Sequence, residues 1–249
     1  MDDYQIIEKK ISKNYIYYIL EKNQIRYFAK QLKENDVNNR ENFVNEINKY
    51  QCIKDLNFIA KIIDVKDNTI IYEYIEGKRL DKCKTLTIKE TIDVLIDLAS
   101  ILENLHKKRI VHCDIKPSNI LITSTHKIKL LDFGNSRFIN EKTHYCTIRY
   151  ASINQIHLEK VNTTFDIYSI GIIMYELLTG KKAYSNLNRQ ELIKEKEKMN
   201  LKATDIVINL PRLTDDIIQK AIGKNKIQMY IDVKDLKKDL LILKKQLNC

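Results

Sequence analysis

Three stretches near the start of the chain, YIYYIL at 15–20, IRYFAK at 25–30 and NTIIYEYI at 68–75, are dense in β-branched and aromatic residues and predict strands. Between the second and third, Phe43, Ile47 and Tyr50 recur at helical spacing beside Glu46, within a charged stretch over 40–49, and predict one helix. A polar run, GKRLDKCKTLT at 77–87, then interrupts the pattern. Past it the period changes. Ile92, Leu95, Ile96, Ala99, Leu102 and Leu105 form one apolar stripe, and further helices are expected at 165–178, 189–199, 214–222 and 232–247. Only ILIT at 120–123 and KIKLLDF at 127–133 are strand-like in this half. The pattern predicts an α+β chain: a small β-rich lobe over 1–76 and a larger helical lobe over 77–249, together one domain.

Composition narrows the picture without changing it. The 249 residues suit one large domain or two close lobes, and 44% hydrophobic with 31% charged residues is globular. A net charge of +10 would suit an acidic partner, but the lysines are scattered and no basic block is interleaved with aromatics. A solvated basic surface is the reading, with no nucleic-acid partner. Five cysteines, Cys52, Cys83, Cys113, Cys146 and Cys249, include no CxxC pair, which argues against a disulfide framework or a zinc site. Asp2, Asp3 and Glu8 sit where a signal peptide would be apolar, and no run approaches the ~20 apolar residues of a membrane span. The expectation is a cytoplasmic protein, its oligomeric state open. The unusual number is five glycines, none before Gly77.

The chemistry concentrates in VHCDIKPSNILITSTHKIKLLDFG at 111–134. Asp114, Lys116, Asn119 and Asp132 supply two carboxylates, a cation and an amide. Phosphoryl transfer needs such a set: a carboxylate to take the proton of the attacking hydroxyl, oxygen ligands for magnesium, and a cation against the transferring group.

At this point the chain resembles the protein kinase family, over essentially its whole length. HCDIKPSN at 112–119 is similar to the catalytic loop and DFG at 132–134 to the magnesium-binding motif. TIRYAS at 147–152 resembles the end of an activation segment, and DIYSIGIIMYELLTG at 166–180 a central helix. RYFAK at 26–30, FVNEI at 43–47 and IIYEYIEG at 70–77 resemble the third strand, its helix partner and the hinge. The order of these motifs is far more specific than any one of them. The resemblance implies a two-lobed fold and transfer of the ATP γ-phosphoryl group to a protein hydroxyl, with magnesium, or manganese as the alternative ion.

By resemblance Asp114 is the base, Lys116 the transition-state cation and Thr147 the threonine that bonds both, while Asn119 and Asp132 are metal ligands. Lys30, held by Glu46, orients the phosphates. Ile16, Phe28, Tyr72 and Leu121 line the nucleotide site, and the backbone at Glu73 and Ile75 reads adenine. Lys116, two residues after Asp114, is of the serine/threonine type, and HCDIKPSNIL and YSIG are similar to bacterial eukaryotic-like kinases. His112 and Asp166 are read as organisers of the loop, and Tyr15, Tyr17 and Tyr18 as strand packing.

The departures are equally specific. KISKNYIYYI at 10–19 stands where the family has a glycine-rich loop, Phe28 where alanine is usual, and Cys113 where an arginine reads activation-segment phosphate. Ser152, Ile153 and Asn154 replace a closing motif that ends in glutamate, whose arginine partner aligns near Gln228, so an Asn154–Gln228 amide pair is expected. The helix at 189–199 is a candidate docking face. Two rival readings remain: a pseudokinase acting as a binding or scaffolding module, favoured by the missing glycines and Phe28, and a small-molecule phosphotransferase.

Overall fold

The fold is described from a computed structural model over residues 3–33, 37–83, 86–143, 145–184, 188–198, 200–224 and 228–247. Met199, Cys249 and positions 84 and 85 of the polar run lie outside the described residues. Two compact units emerge, Met1–Lys78 with Leu121–Gly134, and Arg79–Ile120 with Asn135–Cys249. The segment 121–134, assigned from sequence to the helical part, thus packs with the β-rich part.

In the first unit, β1 (Gln5–Ile11), β2 (Tyr15–Lys22), β3 (Ile25–Leu32), β4 (Ile62–Lys66) and β5 (Thr69–Glu73) form an antiparallel sheet in the order β1-β2-β3-β5-β4. The β2–β3 connection is a two-residue turn with Asn23 and Gln24 both at positive φ, 53° and 63°, the conformation that matches strand twist. This turn sets the register, with Tyr17 opposite Lys30 and Ile19 opposite Phe28. One face therefore carries Tyr15, Tyr17, Phe28, Lys30, Leu32, Ile70 and Tyr72, and α1 (Val37–Ile53) covers part of it with Phe43 and Ile47. The opposite face buries Tyr18, Leu20, Ala29 and Ile71. A second small sheet holds β6 (Gly77–Arg79), β8 (Ile120–Thr123) and β9 (Ile128–Leu130) in the order β6-β8-β9.

The glycine-free loop is a tight hairpin end. Ser12 and Tyr15 close it through Ser12 N–H to Tyr15 O at 2.9 Å and Tyr15 N–H to Ser12 Oγ at 3.1 Å. Asn14 Nδ2 donates to Asn39 Oδ1 of α1 at 3.0 Å, and Lys33 Nζ to Ser12 O at 2.6 Å. None of residues 12–15 has positive φ, so the turn forms without the conformation that glycine serves.

The second unit is built on α2 (Ile88–Lys107) and α4 (Thr164–Thr179). A capping box starts α2, Glu90 N–H donating to Thr87 Oγ1 at 3.2 Å and Thr87 N–H to Glu90 Oε2 at 2.8 Å. Of its expected stripe all but Ile96 are buried, joined by Val94, Leu98 and Ile101. The short strands β7 (Ile110–Val111) and β10 (Arg137–Phe138) pair beside α2. Around them stand α3 (Ile153–Ile156), α5 (Arg189–Lys198), α6 (Leu213–Ala221) and α7 (Val233–Gln246), the last packed along α2. The helix α5, a run of charges in sequence, turns Leu192 and Lys196 inward.

No hydrogen bond joins Asn154 to Gln228. Gln228 instead lines a groove with Asp216, Gln219 and Lys220, while the Asn154 carbonyl accepts from Glu159 N–H. The expected amide pair does not form: the bond at Asn154 is to its backbone oxygen, and Gln228 lies at the α6 groove.

Packing of α4 on α6 depends on Gly171. A Cβ there would lie 2.8 Å from Ala221 Cβ and 3.0 Å from Ile222 Cγ2. Gly171→Ala should therefore destabilise the protein by about 1–3 kcal/mol through overpacking, read as a lower urea midpoint. An unchanged midpoint would show that the two helices separate freely. No described helix is long and apolar enough to cross a membrane.

Candidate active site

In the first unit the site is organised by one buried cation. Lys30 Nζ donates to Glu46 Oε2 at 2.7 Å and to Asp132 Oδ1 at 2.9 Å, and lies 4.4 Å from the centre of the Tyr15 ring. Burial alone would favour the neutral amine, but Asp132 and then Glu46 outweigh it and hold Lys30 well above the ordinary lysine value. Burial pushes the Glu46 carboxyl up, with Lys30 opposing. The three groups come from β3, α1 and the loop after β9. Asp132 sits at φ 64°, and Gly134 follows where a Cβ would lie 3.2 Å from Asn42 O. Asn45, one residue before Glu46, donates from Nδ2 to Gly134 O at 2.8 Å, so α1 grips this loop as well as Lys30.

The same sheet face carries an aromatic row. Tyr17 and Phe28 are stacked, centroids 5.9 Å apart at 19°, and Phe28 continues to Tyr72 at 6.1 Å. The sequence points to Tyr17 as strand packing, and its ring shares the Lys30 face. Ile16 pairs with Gln31 and packs against Tyr18, Leu20, Ala29 and Ile71, on the opposite face, so the structure does not bring it to Lys30. Glu73 ends β5 with its N–H donated to Lys61 O at 2.9 Å. Ile75, just beyond, makes no backbone hydrogen bond among the described residues. Leu121 lies beside Gly77, where a Cβ would come within 3.0 Å of its side chain.

In the second unit, Asp166 at the start of α4 is fully buried and accepts from His112 N–H and Cys113 N–H, both at 2.9 Å. His106 Nε2 lies 3.0 Å from the same carboxylate. Gln155 Nε2 holds the Cys113 carbonyl at 2.6 Å, and Ser136 Oγ the His112 carbonyl at 3.3 Å. These bonds keep Cys113 at φ 63°, a conformation non-glycine residues rarely take. Burial pushes its thiol well above the ordinary cysteine range.

Asp114 then faces a closed set of partners. Thr147 Oγ1 donates to Oδ1 at 2.6 Å, Lys116 Nζ to Oδ2 at 2.7 Å, and Lys116 also reaches Thr147 Oγ1 at 3.0 Å. Asn119 Nδ2 donates to the Asp114 carbonyl at 3.0 Å, and Asn135 Nδ2 lies 3.4 Å from Oδ2. Asn135, next to the DFG motif, has no sequence signal beyond that adjacency. With Nδ2 so committed, Asn119 keeps an amide oxygen that no described residue bonds.

Among the described residues no group of three or more His, Cys, Asp or Glu could hold a metal. Magnesium does not require one, since it takes one or two protein oxygens together with phosphates and water. The carboxylate of Asp132 and the amide oxygen of Asn119 are oxygen donors of that type.

Comparison with known proteins agrees with this geometry. The granulovirus kinase PK-1 of Cydia pomonella superposes with a TM-score of 0.81 at 20% identity, covering 96% of this chain and 94% of the other, so the fold is the two-lobed kinase fold. A probable serine/threonine-protein kinase of Clostridium perfringens is 30% identical over 241 residues, 90% of this chain and 35% of the relative. The serine/threonine-protein kinase PknB of Mycobacterium leprae is 28% identical over 188 residues, 69% and 30%. The chain thus spans about a third of the length of these curated relatives. With the Lys30–Glu46 pair, the Asp114 set and the DFG loop each formed, and with residues 13–246 matching the model of the protein kinase domain, the chain belongs to the protein kinase domain family.

Proposed function

We propose that the chain is an ATP-dependent serine/threonine protein kinase. The observation that carries the reading is the Asp114–Lys116–Thr147 triangle, in which a nearly buried carboxylate is aligned by a hydroxyl and a cation from two separate segments. A solvated loop acid would not be held at both oxygens.

Asp114 Oδ accepts the proton of a substrate serine or threonine hydroxyl as that oxygen attacks the γ-phosphorus of ATP. Lys116 places its charge beside the transferring group, and Thr147 fixes the carboxylate rotamer. Lys30 orients the α- and β-phosphates, with Glu46 holding its ammonium. Phe28, Tyr72 and Leu121 line the base with the backbone at Glu73 and Ile75, and Tyr17 takes the part the sequence reading assigned to Ile16. Asp132 and Asn119 would hold magnesium, with manganese the alternative; the ion supplies neutralisation of phosphate charge. Protein substrates and a cytoplasmic setting complete the reading.

The test is transfer of labelled γ-phosphate from Mg-ATP to a basic protein substrate, followed by phosphoamino-acid analysis. Phosphoserine or phosphothreonine that disappears on chelation is expected. Label on a sugar or antibiotic but never on protein would replace the reading by small-molecule transfer. No transfer with either metal would point to a binding module.

A further inference from the structure

The charged helix α5 buries one of its lysines. Lys196 is 7% exposed, and its Nζ donates to Arg149 O at 2.9 Å, Ala151 O at 3.0 Å and Tyr168 Oη at 3.2 Å. The ring centres of Tyr184 and Tyr168 lie 4.1 and 4.9 Å away. The two carbonyls belong to a turn that begins at Thr147, closed by Tyr150 N–H and Ala151 N–H donating to Thr147 O at 2.9 and 3.1 Å. The intervening carbonyl, of Tyr150, accepts from Ser169 Oγ at 2.9 Å, and the Tyr150 hydroxyl donates to Glu176. Three consecutive carbonyls are thus held by side chains, two of them by Lys196.

We propose that Lys196 is a positioning residue for the base Asp114: by pinning the carbonyls of Arg149 and Ala151 it fixes the turn whose first residue, Thr147, aligns the Asp114 carboxylate. The inference rests on the reading of Asp114 as the base. Packing alone does not explain the residue, since methionine would fill the space between two tyrosine rings without burying an amine.

Burial, helped by Arg149, brings Lys196 from 10.5 down to about 7, against Cys146, Glu176 and Glu195, which favour the charge. Both protonation states still serve the turn. The ammonium donates to both carbonyls and to Tyr168. The neutral amine keeps the two carbonyl bonds and accepts from the Tyr168 hydroxyl, whose partner Tyr184 Oη at 2.7 Å can donate in turn. Stability, by contrast, titrates. Below about pH 7 both folded and unfolded states carry the proton and the cost of the buried charge is full. Between there and 10.5 the native state has lost its proton and the unfolded state has not, so stability rises with pH.

Lys196→Met tests the proposal in the full chain. The amides of Tyr150 and Ala151 should exchange about tenfold faster with protection of α4 unchanged. The kcat should fall about ten- to a hundredfold, as expected for lost hydrogen bonds to a charged group, with KM for ATP within about twofold. The rise in stability above neutral pH should vanish. Wild-type exchange and kcat in the folded variant would overturn the proposal, as would protection lost evenly across α4 and α6, the mark of a packing role. Should Lys196→Met fail to fold, Lys196→Gln, too short to reach both carbonyls, should speed the same amides; amides exchanging as in the wild type would overturn the proposal. Exchange needs no turnover, so a wild type inert in transfer would defeat the kinase reading while the exchange result judged Lys196 separately.

Discussion

Replacing Asp114 by asparagine should slow phosphoryl transfer by about 10²- to 10⁴-fold, the usual contribution of a positioned general base. The substitution keeps shape and removes basicity. Asparagine can still accept from Thr147 through its oxygen, but its amide then points N–H groups at the Lys116 ammonium, which in the native protein donates to Asp114 Oδ2 at 2.7 Å. Lys116 therefore loses this partner and keeps Thr147 Oγ1 at 3.0 Å, its side chain already 22% exposed to solvent. The fold cost should be small, because what is forfeited at Oδ2 is one short bond from a partly exposed cation and two long contacts at 3.4 Å from Asn119 and Asn135. Nucleotide binding should survive, since Lys30, Glu46 and Asp132 form a network of their own. Single-turnover transfer, paired with thermal stabilisation by Mg-ATP, separates the two effects. A rate within tenfold of wild type would remove Asp114 from the role of base.

How far this site was legible in the sequence differs residue by residue. Asp114, Lys116 and Asn119 fall within one short loop, and short-range spacing survives into the structure because that loop is held by local bonds and by Asp166, whereas Asp132 is marked by the DFG motif and bonds Lys30. The strands at 15–20, 25–30 and 68–75 and the long helices declared themselves by composition and period. The edge strand β1 did not, because QIIEKKI is exposed at every position and shows no alternation. Nor did β4, five residues long. That Tyr17 and not Ile16 shares the face of Lys30 is a matter of parity: resemblance supplies a neighbourhood, whereas a strand's face is decided by register, here by the Asn23–Gln24 turn, and one residue of slip reverses it. Lys196 was invisible for another reason. Among Lys194, Lys196 and Lys198 of a KEKEK run, the inward one is chosen by carbonyls that lie 45 or more positions away in the chain.

The largest effect on the fold should come from Lys30→Met. The lysine serves two acids that differ in what they lose: the Asp132 side chain is 39% exposed and can turn to water, but that of Glu46 is 6% exposed and cannot. Removing one partner of a buried pair typically costs about 3–5 kcal/mol, because the other charge is left uncompensated. Glu46 has one escape, protonation. Burial already pushes its carboxyl up and Lys30 is the chief opposing influence, so without Lys30 it rises further. An acid whose folded value is raised binds protons in the native state that the unfolded state has released, so stability is highest at acid pH and falls as pH climbs toward the folded value. The deficit of Lys30→Met against wild type should accordingly be small in acid and grow toward neutral pH. Adding Glu46→Gln should recover most of the loss, since a neutral amide needs no counter-charge. Transfer should not recover. With the phosphates no longer oriented, both variants should remain about 10²-fold slow or worse. Denaturant titrations across pH, run beside transfer assays, decide the matter: a deficit that does not grow with pH would mean that Glu46 is not the group left exposed to the loss, and transfer restored in the double variant would mean that the phosphates are held by something other than Lys30.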